Sequence, residues 1–124
     1  MLTLLFFFTL IFPQYNSQEW SSITSLLTPN GIVISDQGFV YSSTSGGLLK
    51  FNPNTNKFTF IKEEDGLVYL DLSSIAIDEN NRIWIGGAYP RGYLQVFDHQ
   101  KGLVKEITHL EVNQLDNIVI GQDK

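Results

Sequence analysis

Ile75-Ala76-Ile77-Asp78-Glu79-Asn80-Asn81-Arg82-Ile83-Trp84-Ile85-Gly86-Gly87 reads as two short apolar strands joined by one polar turn. Isoleucine and tryptophan favour a pleated, half-buried surface, whereas the Asp/Asn run offers side chains that bond their own backbone in a tight turn. The first strand of this unit occurs three times, as Ile32-Val33-Ile34, Ile75-Ala76-Ile77 and Ile118-Val119-Ile120, at a constant spacing of 43 residues. Leu72 and Leu115 keep the same offset just upstream, and Val40-Tyr41 matches Ile83-Trp84 in the second strand. Phe51 and Ile61 then correspond to Phe97 and Ile107 at a spacing three residues longer. The extra residues fall around Gly87-Ala88-Tyr89-Pro90-Arg91-Gly92, and the connection into the third copy loses three again.

Working outward, the first unit divides into Ile32 to Ser35, Phe39-Val40-Tyr41, Leu48 to Phe51 and Lys57 to Ile61. The breakers are Asp36-Gln37-Gly38, Ser45-Gly46-Gly47 and Asn52-Pro53-Asn54-Thr55-Asn56. Four short strands recurring at roughly 40 to 50 residues are the sequence form of a propeller blade. The predicted fold is therefore all-β, a β-propeller fragment of about two four-stranded antiparallel blades plus the first strand of a third. The expected organisation is a signal peptide over 1–17, a lead-in segment over 18–31, blade 1 over 32–74, blade 2 over 75–117 and the truncated start of blade 3 over 118–124. One four-stranded sheet cannot bury both faces, and closed propellers need at least about four blades. The expectation is thus a piece of a longer propeller, whose partners include the remaining blades, or a chain that covers its open faces with further copies.

The leader Leu2 to Phe12 is apolar except for Thr3 and Thr9, and Pro13 and the polar Gln14 to Gln18 follow it. Such a run is short of the about 20 residues that span a bilayer and matches the roughly 7 to 15 of a signal-peptide core. Export to the periplasm, the outer-membrane surface or the exterior is the expectation, with no membrane span in the mature segment. Thirteen acidic against 8 basic side chains give a formal net charge of -5, which disfavours nucleic acid as a partner. With no cysteine, disulfides, thiolate metal sites and cysteine nucleophiles are excluded.

Asp65-Gly66-Leu67, followed by the stretch from Ser74 to Gly87, resembles the two-component regulator propeller repeat: an Asp-Gly-Leu turn, an apolar strand ending in Asp, a polar turn, then an apolar-Trp-apolar-Gly strand. The first unit keeps Gly46-Gly47-Leu48 and Phe51-Asn52-Pro53 but has Tyr41 where Trp would stand. Trp20, a degenerate first blade and Gly66-Leu67 also resemble the N-terminal propeller of PorZ-type proteins of the type IX secretion system. Both resemblances imply a non-enzymatic extracytoplasmic module, either a sensor ectodomain or a secretion component, that binds a protein, a small molecule or a glycan.

Tyr41, Trp84, Gly86 and Gly87 are read as blade packing rather than as a sugar-stacking platform. Asp78 is read as the acceptor for its own turn, since Arg82 and Tyr89 fall where a calcium loop needs oxygen ligands. No metal or cofactor is expected: His99 and His109 lack acidic or cysteine partners at ligand spacing, and no Gly-x-Ser-x-Gly frame is present. The candidate binding residues are Tyr89, Arg91 and Tyr93, expected to be exposed on the face where long connections such as Lys62 to Ser73 collect. Two further classes stand beside the binding module. One is a propeller lyase acting on a cyclic peptide ester, with its catalytic residues in other blades. The other is a structural cell-surface repeat.

Overall fold

The computed structural model describes residues 28–108 and 111–121. The leader, Trp20 and His109 lie outside the described residues, as do parts of the lead-in and of the third copy. Among the described residues, eight strands form two antiparallel meanders. β1 (Pro29–Ile34), β2 (Val40–Thr44), β3 (Gly47–Asn52) and β4 (Lys57–Ile61) make the first sheet in chain order. β5 (Leu72–Ile77), β6 (Ile83–Gly87), β7 (Tyr93–Asp98) and β8 (Gly102–Ile107) make the second. The all-β, blade-like fold expected from the repeat is present, and no described helix is long and apolar enough to cross a membrane.

The two units share hydrogen bonds as well as strands. In the β1–β2 turn the Ser35 N–H donates to Phe39 O and the Gly38 N–H to Ser35 O; one repeat later Asp78 N–H donates to Arg82 O and Asn81 N–H to Asp78 O. The left-handed position falls on Gly38 (φ 82) in one turn and Asn81 (φ 58) in the other, the two residue types that tolerate it best. The outer turns repeat likewise: Asn52 Oδ1 accepts from Asn54 N–H, and Asp98 Oδ1 from Gln100 N–H.

Each inner strand also carries a bulge at the same place, between Pro29 and Gly31 and between Leu72 and Ser74. The extra residue swings its side chain toward the following unit. Asn30 Nδ2 donates to Leu72 O at 2.7 Å, and Ser73 Oγ donates to Leu115 O at 2.6 Å. Residues 111–121, which the eight strands do not include, are thus tied to β5 as β5 is tied to β1. These bulges explain why the inner strands begin earlier than the sequence implies, at Pro29 and Leu72. The turn-like pairs Asn30-Gly31 and Ser73-Ser74 are drawn into the strands, Gly31 and Ser74 as paired residues and Asn30 and Ser73 as the bulged ones, and β5 straddles the expected boundary between residues 74 and 75.

Directly paired residues share a face. The first sheet turns Tyr41 and Leu48 toward the second, where they join Ile83, Ile85 and Phe97 in one buried cluster. Each such side chain contributes about 1.5 to 3 kcal/mol on burial. Close approach demands small residues: a Cβ on Gly31 would stand 2.8 Å from Ile75 Cγ2, and one on Gly87 would overlap the Tyr93 hydroxyl and the Asp71 carbonyl.

The opposite face of the first sheet carries the row Ile34, Val40, Phe51, Phe58 and beside it Ile32, Ser42, Leu49, Phe60. Ile32 and Ile34 are each 63% exposed and Phe58 60%. The same rows in the second sheet, Ile77-Ile83-Phe97 and Ile75-Ile85-Gln95, are the ones that pack on the first. Such rows are what one blade offers its neighbour, so a second copy is expected to cover this surface with its outer blade face. The chain is therefore expected to associate as its concentration rises, and Ile34→Lys with Phe58→Lys to hold it monomeric. Light scattering across a dilution series checks both, and an unchanged mass for the parent chain counts against the contact.

Candidate functional site

The inserted loop between β6 and β7 is where the second unit departs most from the first. Tyr89 is 76% exposed and Arg91 is exposed. Tyr93, expected beside them, is instead 1% exposed. It opens β7, pairs with Gly87 and turns inward, where its hydroxyl donates to Asp71 O at 2.6 Å. Burial pushes its phenol well above the ordinary range, reinforced by Asp71 and Tyr69. The sequence period could not separate it from its loop neighbours, because the strand starts at the residue where the insertion ends.

Three segments meet at this edge. The Tyr69 ring lies 4.3 Å from that of Tyr93, and Tyr69, Pro90, Arg91, Gly92, Tyr93 and Thr108 line a cavity of about 440 Å³. The loop is anchored at its far end, where Gly92 N–H donates to Val112 O. The segment after Asp65-Gly66-Leu67 is held by Gln95, a residue the sequence reading did not single out. Its fully buried amide accepts from Val68 N–H at 3.0 Å and donates to Tyr69 O at 2.8 Å. Its only signal was a polar residue at an inward position of an apolar strand. Gly66 adopts φ 108, and Leu67 behind it is buried. The long connection and the insertion are therefore built into one rim, with Tyr89 and Arg91 outward and Tyr93, Gln95 and Leu67 as its foundation.

On the opposite edge, Asp78 does more than close its own turn. Oδ1 accepts from Asn80 N–H and Arg82 N–H, both at 3.0 Å; Oδ2 accepts from Arg82 Nε at 2.7 Å and from the Trp84 indole at 2.9 Å. Ser35 fills this place in the first unit, where its Oγ accepts from Phe39 N–H. Trp84 is half-buried and, with Asp78, Arg82, Ile120 and Gly121, lines a cavity of about 450 Å³ between the second unit and the start of the third. Gly86 meets Leu115 in the same seam, where a Cβ would lie 2.8 Å from Leu115 Cβ. Among the described residues no group of three His, Asp or Glu gathers as a metal site would require.

Comparison with protein-family models, with curated proteins and with solved structures finds no match.

Burial alone would push the Asp78 carboxyl up, but the donors from Trp84, Arg82 and Asn80 together outweigh it and hold the group below its ordinary value. A carboxyl lowered in the folded state contributes stability that is present above its unfolded value, near 3.8, and lost as pH falls through the folded one. Asp78→Ala is expected to cost about 2 kcal/mol or more. It should also flatten the acid limb of the stability profile. Urea unfolding of both proteins across that pH range measures the two effects.

Proposed function

We propose that the chain is a binding module of an exported propeller, without chemistry of its own, that engages its partner through the rim formed by Tyr89, Arg91 and the connection beneath them. The observation that carries this reading is where the two units part company. Their β1–β2 and β5–β6 turns, inner-strand bulges and inter-unit hydrogen bonds coincide; β7–β8 adds one bulge that β3–β4 lacks, and the main departure is an insertion that sends an aromatic and a guanidinium outward from a rigid foundation. Loops on a fixed scaffold are where recognition is usually placed, and exposed Tyr and Arg are the residue types that carry most binding energy. Arg91 has no ion-pair partner among the described residues, so its planar donors remain for a ligand. The apolar leader and the resemblance to two-component regulator and PorZ-type propellers support an extracytoplasmic sensor or secretion component rather than a lyase or a passive structural repeat.

Labelled protein applied to arrays of glycans and acidic peptides tests the rim. Tyr89→Ala with Arg91→Ala is expected to weaken the strongest binders by roughly tenfold or more while leaving the melting temperature in place. An unchanged binding profile in the double variant rejects the rim as the recognition surface.

A further inference from the structure

Lys50 lies in the middle of β3 on the face turned to the second sheet and is 8% exposed. A lysine this deep is rare unless paired with an acid. The one ion pair among the described residues is that of Arg82 with Asp78. The Lys50 amine instead sits 4.0 Å from the centre of the Phe39 ring and 5.8 Å from that of Tyr41, with His99 Nε2 at 2.8 Å. His99 belongs to the exposed turn between β7 and β8 in the other unit. An ammonium donates only to an unprotonated imidazole nitrogen, and two cations at this distance repel. Lys50 and His99 thus hold one positive charge between them until something negative joins them.

Beside the pair opens a cavity of about 420 Å³ lined by Lys50, Thr59, Asp65, His99, Lys101 and the apolar Phe97. Its single acid, Asp65, accepts from Lys62 N–H through Oδ2 at 3.0 Å and is outnumbered in the lining by Lys50 and Lys101. The lining is cationic in a chain whose net charge is -5. We propose that this cavity is a binding site for a small organic carboxylate, whose oxygens accept from the Lys50 ammonium and the His99 imidazolium, with Thr59 and Lys101 at its margin. One negative charge and a planar pair of acceptors match two converging donors against an aromatic wall, whereas a tetrahedral dianion would need more donors than these residues bring. The site lies apart from the Tyr89 and Arg91 rim and does not depend on its function.

Proton linkage gives the site a signature. Burial pushes His99 below its ordinary value, the Lys50 charge pushes it further, and Asp98 opposes both. Tyr41, Asp65 and Lys101 are the other titratable groups around it. A bound carboxylate reverses the balance and draws a proton onto His99, so affinity rises as pH falls, by up to about tenfold per unit while free His99 is neutral.

The experiment is a nuclear magnetic resonance titration of the histidine- and lysine-labelled full chain with acetate, propionate and inorganic phosphate, at constant ionic strength and at two pH values one unit apart. Saturable movement of the His99 signals with acetate or propionate, tighter at the lower pH, is expected. Lys50→Met, which keeps the apolar stem, should abolish it. His99→Gln, on an exposed turn, should weaken binding and erase its pH dependence, read from the Lys50 amine signal, and it keeps the test intact if the Lys50 variant does not fold. The proposal is overturned by no saturable shift, by a shift that survives in folded Lys50→Met, by equal affinity at both pH values, or by saturation with phosphate but with neither carboxylate.

Discussion

Face-to-face burial of one sheet on the next is the constraint from which the rest of this structure follows. A four-stranded meander has two faces and too few residues to cover either, so the inward side of the first sheet, with Tyr41 and Leu48, closes on Ile83, Ile85 and Phe97 of the second. That closure dictates glycine at Gly31, where a Cβ would run into Ile75 of the second sheet. It also fixes where the bulged Asn30 and Ser73 can reach, because their acceptors, Leu72 O and Leu115 O, belong to the neighbouring unit. The outward rows of Ile32, Ile34 and Phe58 are the same requirement left open at one end.

Much of this was legible in the sequence for a physical reason. Strand pairing in an antiparallel meander is local, so alternation and turn residues at fixed offsets were enough to give eight strands and the equivalence of Tyr41 with Trp84 and of Phe51 with Phe97. What escaped the pattern was set by contacts between units. The bulges at Asn30 and Ser73 carry residues that look like breakers and lie within strands, unpaired, only because Thr44 and Gly87 pair with Pro29 and Leu72 beyond them. Asp78 was read as a turn acceptor, and it is one. That the same carboxylate also holds the Trp84 indole depends on a strand pairing that returns the side chain six residues later to the turn.

The candidate sites divide in the same way. Tyr89 and Arg91 were legible because an insertion into a repeat is visible as a change of spacing. Tyr93 was misjudged because spacing does not say which residue of an insertion re-enters the sheet. Gln95 and the pair of Lys50 with His99 left almost no trace, since a polar residue at an inward position looks like an error of pattern until its partner from another strand is known. Each owes its role to residues more than 25 positions away.

The glycines at the seam have a consequence for how such a chain can change. Gly31 pairs across the ladder with Ser43, while the equivalent pair in the second unit is Ser74 with Gly86, the same two residue types exchanged. Each pair holds one buried hydroxyl and one absent side chain. Passing from one arrangement to the other by single steps requires either two serines in a space made for one, with two buried hydroxyls to satisfy, or two glycines and a void. Both intermediates are worse than either end, so the two positions are bound to vary together. A change at one site of such a pair is therefore tolerated only together with a change at its partner, so the two units keep one packing solution with its two residue types exchanged.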